Sequence, residues 1–326
     1  MTTRRETLLL GGVLLGASAA EAATPAIWSG DYWAQKGDVK LYMYRKRLGA
    51  PRKDEAPRPL LFLVHGSSMS SRSTFDVTVP GAGEYSTMNA FARLGYDVWT
   101  MDHEGYGRSA RTGSNSDIAS GAADLLAAMA VIERETGRTR CHFLGESSGA
   151  LRAALLAQNH PDPVDRLVLS AFTYTGQGSP TLADRAKQVD FYRSRNRRPR
   201  DRAMIQSIFT RDRSEVYDLR VADAVAAAEL PLGDDVPTGT YLDMTANLPL
   251  VDPAKITTPI LLARGQYDGI ASMPDLIDFF TKLPGGDNQF AVLPDAAHSL
   301  ALGRNRAQFW HVVHGFLSMP PDALKV

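Results

Sequence analysis

Cys141-His142-Phe143-Leu144-Gly145-Glu146-Ser147-Ser148-Gly149-Ala150 decides the reading of this chain. Its first four residues are a short apolar run, as expected of a strand covered on both faces. Ala150–Asn159 has a helical pattern closed by His160-Pro161. Between them Gly145-Glu146-Ser147-Ser148-Gly149 fits G-x-S-x-G at a strand-to-helix junction. A turn that sharp crowds the backbone and leaves no space for Cβ atoms at its two glycines. It predicts Ser147 at the apex, its hydroxyl aimed out of the sheet at the helix N-terminus.

Outward from that junction the same alternation repeats. Strands are expected over Ala26–Trp33, Val39–Arg47, Leu60–Val64, Tyr96–Met101, Arg166–Ala171, Pro259–Ala263 and Phe290–Leu293. Helices are expected over Tyr85–Leu94, from a cap at Ser116 or Asp117 to about Glu135 before Gly137, and over Arg306–Leu317. Strands alternating with helices imply right-handed crossovers and a mostly parallel sheet, an α/β fold. The stretch Phe172–Val251 breaks the pattern. It is helix-prone, and from Thr181 to Arg213 it holds 10 Lys/Arg against 4 Asp/Glu. Helices inserted between two sheet strands are expected to form a lid over the strand ends, dividing a core into residues 24–171 and 252–326.

A serine hydroxyl is a weak nucleophile without a base. His298 follows the last expected strand, within Asp295-Ala296-Ala297-His298-Ser299, and Asp268 follows the strand before it, within Gly265-Gln266-Tyr267-Asp268-Gly269. Ser147, Asp268 and His298 therefore all fall at the C-terminal ends of parallel strands, where open α/β sheets place their sites. No acid occurs between Arg166–Ala171 and Asp184, so an acid after that earlier strand is disfavoured, and Asp295 reads as a turn residue. Backbone N–H donors for a developing oxyanion are expected from Ser148 and, after Leu60–Val64, from Ser67.

With these residues in hand, the chain resembles the α/β-hydrolases that carry an inserted cap. The motifs are His65-Gly66-Ser67, Asp102-His103-Glu104-Gly105-Tyr106-Gly107-Arg108-Ser109, the Ser147 elbow, Asp268 and His298, and the likeness runs from about Ala26 to Ser318. The second motif is similar to the family's D-x-x-G-x-G-x-S segment, with His103 where Arg is commoner. The resemblance implies an eight-stranded sheet, its second strand antiparallel, with the helical cap after strand 6. It implies a small-molecule ester or lactone as substrate, cleaved through an acyl-enzyme on Ser147, and no cofactor. Acyltransferase, amidase and carbon–carbon bond hydrolase chemistry use the same triad, and a non-catalytic ligand-binding relative is a different class of answer.

Composition narrows the rest. Among 326 residues, 36 Lys+Arg balance 36 Asp+Glu, which argues against nucleic acid as partner. The single cysteine, Cys141, excludes an internal disulfide and a thiolate metal site. Residues 1–23 run from Arg4-Arg5 through an apolar stretch to small residues near Ala22. That is the order of a secretory signal peptide of twin-arginine type, so an exported, periplasmic or secreted protein without a stable membrane anchor is expected. The sequence carries no sign of oligomeric state. Arg193–Arg200 is expected as a solvated loop, with an anionic substrate as its sharper reading. His311 and His314 read as surface residues and not metal ligands, Glu146 as structural, and Phe191, Tyr192, Phe209 and Tyr217 as lid aromatics.

Overall fold

The computed structural model describes residues 26–319, so the expected leader, residues 1–23, lies outside the described residues. Among the described residues ten strands occur: β1 Ile27–Lys36, β2 Val39–Leu48, β3 Leu60–Val64, β4 Asp97–Met101, β5 Cys141–Glu146, β6 Val164–Ser170, β7 Arg197–Pro199, β8 Asp235–Pro237, β9 Ile260–Gly265 and β10 Gln289–Leu293. Eight of them form one sheet in the order β1-β2-β4-β3-β5-β6-β9-β10. β2 runs antiparallel to both β1 and β4, and every other pairing in that sheet is parallel. This is the α/β-hydrolase arrangement that the resemblance implied.

Side chains of a strand point alternately to its two faces, and the sheet sorts its apolar residues accordingly. Leu60, Phe62 and Val64 of β3 pack on one face with Trp99, Met101, Phe143, Ile260 and Leu262. Leu61 and Leu63 pack on the other with Val98, Leu144, Leu261 and Ala263. The first face is covered by α3 (Ile118–Thr136), α4 (Ser148–Asn159) and α10 (Met273–Thr281), through residues such as Leu125, Leu151 and Phe279. The second is covered by α2 (Thr87–Arg93) and α11 (Arg306–Leu317), through Phe91, Phe309 and Val313. Local signals set the helix ends. Asp117 accepts from the Ser120 N–H to cap α3, and Gly137, at φ 69°, closes it in the left-handed region.

Three departures from the expected elements bear on the site. β5 continues two residues further, because Gly145 pairs with Val64 and Leu169, and Glu146 with Ser170. A short helix, α1 (Ser71–Phe75), forms after β3 where only a loop was expected. The segment between β6 and β9 is not purely helical. It holds α5 (Pro180–Ala186), α6 (Val189–Ser194), α7 (Arg202–Thr210), α8 (Leu219–Glu229) and α9 (Gly239–Leu242), together with the ribbon in which β7 pairs antiparallel with β8. Three-residue strands with a proline at one end are too short for a period-2 pattern to reveal.

Candidate active site

The turn from β5 to α4 is as tight as its glycines suggest. A Cβ on Gly145 would lie 2.6 Å from Ala150 Cα, and one on Gly149 would lie 2.6 Å from His65 O. Ser147 between them is held at φ 58°, ψ −125°, a strained conformation for a residue with a side chain. It occupies the N-cap position of α4, where serine ordinarily bonds a backbone N–H, yet its hydroxyl makes no capping bond. The strain is borne by the flanking ladder: Ser147 N–H donates to Ser170 O at 2.9 Å, and Ala150 N–H to Ser147 O at 3.0 Å.

His298 and Asp268 are paired. His298 Nδ1 lies 2.9 Å from Asp268 Oδ1, and both side chains are buried. Burial alone would raise the Asp268 carboxyl. The facing imidazole and the Ile270 N–H, 3.0 Å away, outweigh that and hold it below the usual carboxylate range. An ionised carboxylate can only accept, so His298 Nδ1 carries the proton shared with Asp268, and Nε2 is the ring nitrogen left to act in the pocket. The loop is also held from outside: Ser299 N–H donates to Tyr217 Oη at 2.9 Å.

Ser67 and Ser148 come together through their side chains. Thr240 Oγ1 donates to Ser67 Oγ at 2.8 Å, and Ser67 Oγ donates to Ser148 Oγ at 2.8 Å. Tyr106 Oη bonds Ser67 O at 3.0 Å, and Ser68 Oγ lies 2.7 Å from Tyr241 Oη. Among the described residues neither the Ser67 nor the Ser148 backbone N–H has a hydrogen-bond acceptor. His65 shapes the turn as a neutral ring, since burial and then His103 push its pKa well down. Its Nε2 accepts from His103 N–H at 3.1 Å, so its Nδ1–H donates to Gly66 O at 2.8 Å. His103 itself is buried, neutral, and set 3.1 Å from Asp124.

Ser147, His298, Ser299, Glu146, Gly66, Ser67 and Ser68 line one narrow pocket, and Arg185, Ile208 and Arg211 of the inserted segment complete it. The pocket has room for about 20 Å³, roughly one water. It adjoins a wider chamber of about 430 Å³ that shares Ser68, Arg185, Ile208 and Arg211 and adds Tyr192, Arg198, Asp212 and Tyr241.

Several residues stand elsewhere than the sequence suggested. Arg193 is exposed beside Asp190, Arg197 bonds Asp235, and Arg200 is buried against Glu229, so the basic run is mostly paired within the protein. Arg198 alone of that run lines the chamber. Of the aromatics, Tyr192 lines the chamber, Phe209 and Tyr217 pack in a cluster that the insertion shares with Met69, Val77, Val79, Tyr85, Ala297 and Leu302 of the sheet domain, and Phe191 is exposed. His314 bonds Tyr96 Oη at 3.1 Å, whereas Asp295, exposed at φ 48°, is the turn residue that the sequence suggested. Arg185 and Arg211 were not legible as site residues. They were two of ten basic residues in a stretch without periodicity to place them.

Glu146 is a further member that the sequence did not mark. Buried beside the elbow, its Oε2 has no partner among the described residues, and burial together with the Asp268 charge pushes its pKa up to about 8. The folded protein therefore keeps this proton to about pH 8, whereas an unfolded chain releases it near a carboxyl's ordinary 4.5. Folding binds a proton between those limits, so stability falls as pH rises through them. Glu146→Gln removes that titration. Its stability relative to the parent should climb from pH 5 to pH 8, by about 3 kcal/mol at the upper end. Thermal unfolding of both proteins across that range is the measurement, and a difference independent of pH would show that the carboxyl is ionised in the fold.

Comparison with known proteins bears on the whole site. A chain from Caulobacter sp. (strain K31), named as a carbamate hydrolase, is 33% identical over 110 residues, 32% of this chain and 40% of the relative. A 2-hydroxy-6-oxononadienedioate/2-hydroxy-6-oxononatrienedioate hydrolase of Paraburkholderia phymatum is 32% identical over 153 residues, 45% of this chain and 44% of the relative. The chain thus spans less than half the length of the curated relatives it matches. In structure it is similar to an esterase from Exiguobacterium antarcticum, with a TM-score of 0.65 and 15% identity over 89% of this chain and 100% of that one. At that identity the likeness establishes the shared fold. The family model described as serine aminopeptidase, S33 (Hydrolase_4) matches residues 55–304, which takes in β3, the Ser147 turn, the inserted segment, Asp268 and His298. The chain belongs to that family, and with it to the α/β-hydrolases.

Proposed function

We propose that this hydrolase cleaves a carboxylic ester or lactone through an acyl-enzyme on Ser147, with residues 172–251 acting as its lid. His298 Nε2 takes the Ser147 proton as Oγ attacks the carbonyl carbon. Asp268 holds the imidazole in that tautomer and stabilises it once charged. The carbonyl oxygen becomes an oxyanion, for which the Ser67 and Ser148 N–H groups are the donors. Collapse breaks the bond to the leaving alcohol, which receives the proton from His298. Water, deprotonated by the same nitrogen, then releases the acid and restores Ser147.

The observation that carries this reading is the buried Asp268–His298 pair, whose imidazole lines the same narrow pocket as a strained serine whose hydroxyl caps nothing. A resting Ser147–His298 hydrogen bond is not required, since such bonds commonly tighten only in the substrate complex. The test is hydrolysis of p-nitrophenyl esters from short to long acyl chains, together with labelling by a fluorophosphonate and peptide mapping. Turnover with stoichiometric label on Ser147 is expected. Label on another residue, or turnover without any label, would assign the nucleophile elsewhere. No turnover and no label would favour a ligand-binding role.

A further inference from the structure

Two guanidinium groups of the inserted segment face the narrow pocket and lack adequate partners. Arg185 extends from α5. Among the described residues it has no carboxylate partner, and its Nη1 is shielded from solvent without any hydrogen-bond acceptor. What holds it is the face of Tyr241, whose ring centroid lies 5.1 Å from the guanidinium carbon. Tyr241 is itself tied to Ser68 of the β3 loop.

Arg211, just beyond α7, is the second. Among the described residues its Nε and Nη2 have no hydrogen-bond acceptor, and the carboxylate it pairs with is Asp212, whose Oδ2 lies 3.6 Å from Nε. Arg198 stacks on the same Tyr241 ring at 4.6 Å on the chamber side. Burial, then Arg211, pull the Arg185 pKa down to about 10, the signature of cations crowded together without an anion between them. The acidic residues lining the two cavities do not cancel this charge. Asp184 faces Lys187, Asp212 is shared with Arg211, and Glu146 keeps its proton near neutral pH.

Buried donors left unpaired beside the space a substrate must occupy are costly by themselves and are satisfied by a ligand oxyanion. A guanidinium presents parallel N–H groups that match the two oxygens of a carboxylate. We propose that Arg185 and Arg211 form an anion subsite next to Ser147, and that the substrate is an ester bearing a free carboxylate held there during acyl transfer. This rests on the assignment of Ser147 as nucleophile. A singly charged group suits the site better than a phosphate dianion, because Asp212 already takes part of the Arg211 charge. The scissile carbonyl sits in the narrow pocket and the remainder of the substrate in the chamber.

The experiment compares kcat/KM for size-matched p-nitrophenyl esters, a neutral butyrate or valerate against a hemisuccinate or hemiglutarate, in the parent, Arg185→Gln, Arg185→Lys and Arg211→Gln. The readout is the anionic-to-neutral ratio, from which a general loss of activity cancels. The parent should prefer the hemiesters by about 30-fold or more. Arg185→Gln should bring the ratio close to 1, Arg185→Lys should restore part of it, and Arg211→Gln should lower it less. In parallel, glutarate should raise the melting temperature of the parent and not of Arg185→Gln, and a p-nitrophenyl ester bearing a phosphate should gain less than the hemiesters. Ester turnover and Ser147 labelling with a ratio near 1 in the parent would overturn the subsite and leave the hydrolase reading intact. A glutarate shift that depends on Arg185, in a protein that neither turns over esters nor labels, would support the subsite as a binding site and overturn the nucleophile assignment.

Discussion

Ser147→Ala should lower kcat/KM for the best p-nitrophenyl ester by about 10⁴- to 10⁶-fold, the loss seen when a triad nucleophile is removed. The size follows from the geometry. Ser147 Oγ is the hydroxyl released from capping duty at the start of α4, and the waters that could replace it have room for about one molecule in a pocket of about 20 Å³. Asp268→Asn and His298→Ala should each cost about 10³- to 10⁴-fold or more on the same substrate, and neither should add to Ser147→Ala, because the three act as one unit. Folding should be nearly unaffected in Ser147→Ala, and alanine at φ 58° is no more strained than serine there. Full-progress ester assays with thermal unfolding as the control decide the matter. A variant that keeps more than about a tenth of parental activity would remove Ser147 from the mechanism.

The second large effect concerns stability. Glu229 at the end of α8 is fully buried and joins the inserted segment to the sheet domain. One carboxyl oxygen bonds Arg200, which is 3% exposed. The other accepts from Ser70 N–H at 3.0 Å, Ser70 Oγ at 2.7 Å, and the Ser73 hydroxyl. Arg200 in turn bonds Ser68 O at 3.2 Å, on the loop that carries Ser67.

Glu229→Ala would strand a buried cation and leave the Ser70 N–H and two hydroxyls without their acceptor. The expected cost is about 3–5 kcal/mol. Because those groups lie between the insertion and the β3 loop, the loss should be felt first as undocking of residues 172–251. Thermal unfolding should show the lower melting temperature, and limited proteolysis should cut within 172–251 before it cuts the sheet domain. The double variant Arg200→Leu/Glu229→Leu should recover part of the stability, since it removes the stranded charge together with its partner. Equal proteolysis of the two regions in Glu229→Ala would show that this cluster does not hold the insertion down.

The sheet and the elbow were readable for a common reason. β3, β5 and β9 are buried on both faces by covering helices, so they appear as largely apolar runs, and the glycines at 145 and 149 mark, in turn, where the β5–α4 turn closes on itself and where α4 meets the end of β3, too closely for any other residue. Asp268 was readable because it closely follows β9, and His298 because it comes shortly after β10, the last strand of the alternation, even though β10 lies at the sheet edge and is only partly buried. The inserted segment offered no comparable signal. Its helices are short, its ribbon strands have three residues each, and Arg185 and Arg211 look in sequence like their eight basic neighbours. Glu146 was likewise hidden, because a carboxyl's ionisation depends on what surrounds it and not on the residues beside it.

By itself, then, the sequence determined what local geometry and alternation can encode: a mostly parallel sheet, a serine at a strand-to-helix turn, and an acid and a histidine at neighbouring strand ends. Those features depend on a few consecutive residues and on burial that repeats with the period of the strand or helix. Only the tertiary structure decided which charges are left unpaired. Arg200 and Arg185 are fifteen positions apart in one basic stretch, yet the fold gives Arg200 a buried carboxylate with two serines behind it, and gives Arg185 a tyrosine face and a place in the lining of the narrow pocket. The difference comes from contacts with residues far away in the chain, Glu229, Ser70 and Tyr241, because the free energy of a buried charge is set by the dipoles and ions packed around it.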